Sequence, residues 1–324
     1  MKPYFLDSEY PNAAHEKACF HVIPFPLEET VSYMGGTSQG PHSILEASGQ
    51  LEKLVDDHSE PGLLGIHTTD SIDCTYANSI QEVFARASKL VTRAFEQQSV
   101  PVMLGGEHSV TNASIQAISK AYTKKEVGIL QFDAHMDLRE AYEGSPFSHA
   151  SVMKRAVEVG IPLYQVGVRN YSSEDLDARE AYKVGHLDAH ALDRLKHTKE
   201  GYSQVSLPAT FPEKLFITFD VDGFDASLMG STGTPDPGGL FWWDAINLLE
   251  SLTQGRTIIG CDVVELAPNP LLHHGPYLAA KLAYHLMGLI AKRNGLGEKK
   301  SPTEKDSYLS PVWIRLPRLT FSCP

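Results

Sequence analysis

Apolar residues in this chain gather into short, nearly uninterrupted runs, and amphipathic stretches separate them along most of its length. The runs are ACFHVIP (residues 18–24), VPVML (100–104), EVGILQF (126–132), PLYQVGV (162–168), KLFITF (214–219) and TIIGCDVVEL (257–266). A strand that is apolar on both faces is buried on both faces, which predicts a parallel sheet covered by helices. Between the runs, Ile80, Val83, Phe84, Ala87, Leu90, Val91, Ala94 and Phe95 recur at helical spacing behind a cap at Asn78 or Ser79. A second helix, apolar nearly all round and so deeply packed, is expected from about Tyr277 to Arg293. No repeat or linker interrupts the pattern, so residues 1–294 read as one α/β domain. The stretch GLGEKKSPTEKDS, from residue 295, is poor in apolar side chains and reads as a mobile lead into a tail, residues 295–324. Trp313, Ile314 and Leu316 of that tail are expected to dock on the body or on a neighbouring subunit.

Composition narrows the partners. A chain of 324 residues that is 42% hydrophobic can bury a sizeable core. The formal charge of −12, without clustered Lys and Arg, argues against nucleic acid and suits a small cationic substrate. Met1 to Tyr10 lack the basic start and apolar core of a secretory signal, and no run approaches the roughly 18 apolar residues of a membrane span. A soluble, cytoplasmic protein is the expectation. Cys19, Cys74, Cys261 and Cys323 are scattered without paired spacing and read as unlinked thiols, neither a disulfide framework nor a thiolate metal site.

In a parallel sheet, ligands bind at the carboxyl ends of strands. Four of the runs end in chemistry. VPVML leads into Gly105, Gly106, Glu107 and His108; EVGILQF into Asp133, His135 and Asp137; KLFITF into Asp220, Asp222 and Asp225; TIIGCDVV into Glu265. Extended chain has a period of two, so Asp133, His135 and Asp137 project to one side, as do Asp220 and Asp222. With His108 they make a mixed nitrogen and oxygen set that suits manganese better than a closed structural zinc site. Six ligands exceed the needs of one ion, whereas two ions sharing carboxylates would use them all. The chain also carries a control. HLDAHALD, residues 186–193, repeats Asp-Ala-His at Asp188 and His190, but no apolar run precedes it and Asp193 is out of step. It reads as a loop or helix start.

Together, GGEHS, FDAHMDLRE, SHAS, DVDGFDASLMGSTGTPDPGG and DVVEL resemble the signature segments of the ureohydrolases, the family of arginase and agmatinase. SYMGGTSQGPHSILEAS (32–48) is similar to the glycine-rich opening segment of agmatinases. The resemblance implies a three-layer αβα fold with two Mn²⁺ ions, or other divalent ions, at the carboxyl edge of the sheet. It implies His108, Asp133, Asp137 and Asp220 on one ion, and His135, Asp133, Asp220 and Asp222 on the other, with Asp133 and Asp220 bridging. It also implies that His149 shuttles protons, that Glu265 pairs with the substrate guanidinium and that Thr234 places a hydroxyl beside it, with Asp137 joining His149 and Glu265 in the catalytic set. Two divalent ions can lower the pKa of water from about 15.7 to near 7, which the poorly electrophilic guanidinium carbon requires. A homo-oligomer, trimer or hexamer, is implied as well.

Some positions depart from the family pattern. Ala226 and Gly230 stand where Pro is common, so a looser or differently shaped substrate loop is expected, and Glu107 replaces a common Asp without an expected role on the metal. The segment YEGSPFSHAS lacks the arginase-type S-G-N-x-H-G set, which disfavours arginine and points to agmatine, cleaved to putrescine and urea in polyamine biosynthesis. Aminopropylagmatine and guanidinobutyrate are the alternative substrates, and Glu140, Glu143 and Glu174 are candidate partners for a cationic tail. Two readings from other classes are a binuclear metallophosphoesterase, whose G-N-H-[DE] segment is absent, and a noncatalytic scaffold, which would tend to have lost a ligand.

Overall fold

The computed structural model describes residues 3–55, 59–123 and 125–297. Trp313, Ile314, Leu316 and Cys323 lie outside the described residues, as does most of the 295–307 stretch. Eight strands form one sheet: β1 (Phe20–Phe25), β2 (Ile66–Thr68), β3 (Val100–Gly105), β4 (Val127–Phe132), β5 (Leu163–Val166), β6 (Gly185–Leu187), β7 (Lys214–Asp220) and β8 (Thr257–Val264). Every pairing is parallel, in the order β2-β1-β3-β8-β7-β4-β5-β6. All six apolar runs became strands. The two missed strands, β2 and β6, are three-residue edges, too short to carry a periodic signal.

The helices are α1 (Gly40–Ser48), α2 (Gln81–Glu96), α3 (Thr111–Ala121), α4 (Val152–Glu158), α5 (Ser173–Ala181), α6 (Ala189–Lys196), α7 (Trp242–Leu252) and α8 (His274–Arg293). The first helix predicted from periodicity is α2, whose N-cap is Ile80; Ser79 stands just outside and accepts from the Gln81 N–H at 3.2 Å. The second is α8, buried over most of its circumference. Among the described residues no helix is long and apolar enough to cross a membrane. Cys19, Cys74 and Cys261 are free.

Strand residues alternate between two faces. Phe20, Val22, Leu130, Phe132, Ile217 and Phe219 pack with α1, α7 and α8 into one apolar cluster. The opposite face divides into two clusters: Val127, Ile129 and Phe216 lie in one, with side chains of α3 and α4, while Ile23, Phe25 and Met103 lie in the other, with α2 and part of α3. By the same alternation that second face carries Gln131, Gln165, Thr218 and Asp262, all fully buried. A polar seam thus runs through the sheet beneath the strand ends, where the charged residues stand.

Candidate metal centre and active site

The order of the sheet brings β3, β8, β7 and β4 side by side, so the four charged strand ends converge. Beyond Phe132, alternation persists although the ladder has ended. Ala134, Met136 and Leu138 are buried apolar side chains, while His135 and Asp137 bring polar groups to a cavity that Met136 also borders. Asp137 has φ of 54° and Glu265 of 65°, left-handed values for residues with a β-carbon. Such backbone costs about 1–3 kcal/mol each and persists where the surroundings impose it. Backbones meet closely here: a β-carbon on Gly106 would sit 2.0 Å from the Leu27 carbonyl, which requires glycine, and one on Gly223 would crowd the Asp133 nitrogen at 3.1 Å.

Two groups of side chains place ligand-type atoms close together: His108, Asp133 and Asp220, and Asp133, His135 and Asp222. Asp133 is common to both. His108 Nδ1 lies 3.1 Å from Asp133, 2.9 Å from Asp137 and 3.4 Å from Asp220. His135 Nδ1 lies 3.1 Å from Asp222 and 3.5 Å from Asp133. Although buried among three carboxylates, His108 Nδ1 makes no hydrogen bond of acceptable geometry. It is aimed at the space between the oxygens rather than at any one of them, as a metal ligand would be. No Lys or Arg pairs with Asp133, Asp137, Asp220, Asp222 or Glu265 among the described residues, so apart from the two imidazoles no side-chain cation faces the buried carboxylates. The donor set fits a pair of divalent ions.

The electrostatics agree. Burial, then the charge of Asp133, pushes the Asp137 carboxyl up to about 7. Burial, then Asp222 and Asp133, raises Asp220 well above the usual carboxylate range, and burial raises Glu265 likewise. Asp133 goes the other way: burial opposes its ionisation, but the close imidazoles of His108 and His135 prevail and lower it. Both histidines rise well above the ordinary imidazole value despite burial, His108 through the adjacent carboxylates of Asp133, Asp137 and Asp220, His135 through the charge of Asp222 and the carboxylate of Asp133. Without added positive charge, these carboxylates cannot all ionise together.

The ligand-type side chains are braced from behind. Gln131 donates to Asp133 at 2.7 Å, Gln165 to Gln131 at 2.7 Å, and Arg179 to Gln165 at 3.1 Å. Thr218 Oγ1 lies 2.8 Å from His108 Nε2, which leaves Nδ1 free to act as a ligand. The Asp222 N–H donates to Asp220 at 2.8 Å, and Arg169 holds the carbonyls of Asp222 and Phe224. Neither Gln131, Gln165, Thr218, Arg169 nor Asp262 was singled out in the sequence. A signal was present: Gln131 and Thr218 are lone polar residues two positions before Asp133 and Asp220, on the same face.

The cavity encloses about 210 Å³, and His108, His135, Asp137, His149, Asp220, Asp222, Thr234 and Glu265 all line it. The Thr234 hydroxyl donates to Asp222 at 3.3 Å, so it braces a carboxylate as well as facing the cavity. Glu265 accepts the His108 N–H through one oxygen at 2.5 Å. His149 rests edge-on against Tyr142, with ring centroids 5.8 Å apart. Burial, then His108 and His135, lowers its pKa to about 4. Glu140, Glu143 and Glu174 do not line this cavity. Glu140 pairs with Lys154 at 2.5 Å, and Glu174 accepts the Glu140 N–H at 2.8 Å. Asp225 is not among the ligand-type groups; it accepts the N–H groups of Gly238 and Gly239 at 2.7 and 3.2 Å, tying down the loop that carries Ala226 and Gly230. That loop is tied at its other end as well, where Thr232 bridges to Leu266.

At Asp188 the expectation of a helix start holds, with one correction: the short β6 does precede it. Asp188 is the N-cap of α6 and takes a two-pronged contact from Arg179 at 2.9 and 3.0 Å.

Comparison with known proteins fits this geometry. Residues 18–288 match the model of the arginase family. The N(1)-aminopropylagmatine ureohydrolase of Synechocystis sp. is 33% identical over 294 residues, covering 88% of this chain and 92% of the relative. The agmatinase of Pyrococcus horikoshii is 32% identical over 290 residues, covering 89% and 97%. The crystal structure of the agmatine ureohydrolase of Thermoplasma volcanium superimposes with a TM-score of 0.74 at 25% identity, covering 92% of this chain and 97% of that one. Sequence and fold agree over most of the chain, and the chain belongs to the arginase family.

Proposed function

We propose that this chain is a metal-dependent ureohydrolase that cleaves agmatine to putrescine and urea. The observation that carries the reading is the single cavity into which Asp133-sharing ligand groups, Glu265 and His149 all open. His108, Asp133, Asp137, Asp220, His135 and Asp222 would hold two divalent ions, manganese by the oxygen-rich donor set. When bound, the ions supply hydroxide from water near neutral pH. Glu265 accepts from the planar guanidinium, using the oxygen that His108 leaves free and the second lone pair of the other. Thr234 lies beside it. His149 takes up the proton released as water becomes hydroxide and passes it to the departing amine as the C–N bond breaks.

A second substrate, N(1)-aminopropylagmatine, is favoured by the name of the Synechocystis relative. Residues 1–294 form the catalytic body in this reading and 295–324 a tail, in a cytoplasmic homo-oligomer whose size, trimer or hexamer, light scattering would measure. The deciding experiment is urea release by manganese-loaded protein on agmatine, aminopropylagmatine, guanidinobutyrate and arginine side by side. Preference for agmatine supports the reading; preference for the longer amine moves it to the second substrate. No urea from any of them, with two ions bound, refutes both.

A further inference from the structure

Glu107 stands between a glycine pair and His108, is fully buried, and does not line the cavity described above. Its carboxylate nevertheless has four donors around it. The N–H groups of Glu29 and Thr30 donate to Oε2 at 2.7 and 2.6 Å, the Thr30 hydroxyl lies 2.9 Å from Oε1, and the Ser109 hydroxyl also donates to Oε1. The same Thr30 hydroxyl oxygen reaches His149: it accepts the His149 backbone N–H at 3.0 Å and lies 3.2 Å from the ring Nδ1.

One hydroxyl has one proton and two lone pairs, which decides how this network is wired. Thr30 Oγ1 has three polar neighbours. The His149 backbone N–H can only donate, so it takes one lone pair. The proton then goes either to Glu107 or to His149 Nδ1. Glu107 is nearer, and although burial raises its carboxyl, the Glu29 and Thr30 N–H groups and the Ser109 hydroxyl already hold it as an acceptor, so the proton points there. The remaining lone pair faces Nδ1, which must therefore carry hydrogen. Ser148 Oγ offers no equal alternative, since it lies 3.5 Å from Nδ1 and already accepts the Ala150 N–H at 3.2 Å.

We infer that Glu107 and Thr30 act as positioning residues that fix His149 in the Nδ1–H tautomer, leaving Nε2 as the nitrogen that exchanges protons in the cavity. In neutral imidazole one nitrogen donates and the other accepts, so fixing Nδ1–H fixes the function of Nε2. The inference rests on His149 being the proton carrier. It assigns a role to Glu107 that its position beside a metal-type histidine did not suggest. It also explains why residues 29 and 30, in the loop that follows β1, are bound to the β3 end through a buried carboxylate.

The test reads tautomer and turnover separately. Full-length protein labelled with ¹⁵N-histidine and loaded with the diamagnetic ion Cd²⁺ is examined by long-range ¹H–¹⁵N correlation, with His149→Ala identifying the signal. The wild type is expected to show Nδ1 protonated and Nε2 bare; the reverse overturns the proposal without reference to any variant. Thr30→Val is expected to release the preference and to lower kcat for urea release by about tenfold or more, within the range of general acid–base catalysis. KM should change by less than about twofold, and Thr30→Ser, which restores the hydroxyl, should recover both tautomer and kcat, which a merely structural role would not predict. If Thr30→Val keeps the Nδ1–H signal and wild-type kcat while His149→Ala loses activity, the positioning role is overturned and the proton-carrier reading stands. If His149→Ala is itself fully active, the carrier reading fails and the positioning role falls with it.

Discussion

The chain contains Asp-Ala-His twice, and both copies follow a strand of the same sheet. Asp133-Ala134-His135 follows β4, which has β7 on one side and β5 on the other; Asp188-Ala189-His190 follows β6 at the edge. At the centre, neighbouring strand ends bring further carboxylates within reach, and the alternation continues to Asp137. At the edge only one neighbour exists, the chain turns at once into α6, and Asp188 binds Arg179 while His190 is exposed. Identical side chains in identical order thus become a ligand cluster or a helix cap according to what the sheet places beside them. The two copies even touch one network, because Arg179 joins Asp188 to Gln165, and Gln165 leads through Gln131 to Asp133.

The largest effect should separate the two copies outright. Asp133→Ala or Asp220→Ala is expected to lose metal and urea release together, the rate by about three orders of magnitude or more, since each removes a shared carboxylate. Metal content by mass spectrometry checks this; two ions retained per protomer in either variant would refute the bridging assignment. A smaller effect is expected one layer back. Thr218→Val removes the partner of His108 Nε2 and should weaken metal affinity by about 10–100-fold with the fold intact, measured by titration of the metal-free protein. At the edge copy, Asp188→Asn should leave metal content unchanged and lower stability by about 1–2 kcal/mol in urea denaturation, because Arg179 is buried and loses its charged partner. Loss of metal in that variant would mean that the Arg179 network reaches the centre more strongly than the contrast between the copies allows.

The smallest effect lies at the other edge, where three histidines cluster around β1 and β2 away from the cavity. The rings of His15, His21 and His67 lie 4.4–5.7 Å apart, and burial, then the neighbouring rings and Arg93, lowers His21 to about 4, its contact with the His15 carbonyl opposing. Its ordinary value is about 6.5, so between those values the unfolded chain binds more protons than the folded one. Stability is therefore full above about pH 6.5 and declines as pH falls toward 4. His21→Asn should flatten that part of a plot of Tm against pH; an unchanged slope would assign it to other groups.

How much of this was readable in advance follows from what each feature leaves in a linear chain. Central strands are buried on both faces and so appear as long apolar runs; β2 and β6 pair on one side only, need three residues, and leave no such trace. The strand-end residues announce themselves because charge directly after an apolar run is conspicuous. Asp262 and Gln165 did not, because a single polar residue inside a strand resembles noise until the sheet aligns it with Gln131 and Thr218. The partnership of Thr30 with Glu107 and His149 was least readable, since it joins three segments that only the folded chain brings together.

One contact already described bears on how such an enzyme can change over generations. Glu265, at the end of β8, grips the backbone N–H of His108, at the end of β3, with the same carboxylate that faces the cavity. In the function proposed above, substrate grip and metal grip would therefore be mechanically one part, since neither residue can move without disturbing the other. New substrate preferences must arise elsewhere, in the rim contributed by Tyr33, Tyr142 and Tyr171, whose side chains border the cavity without holding its floor. The molecule separates an inheritable, nearly immovable foundation from an adjustable mouth.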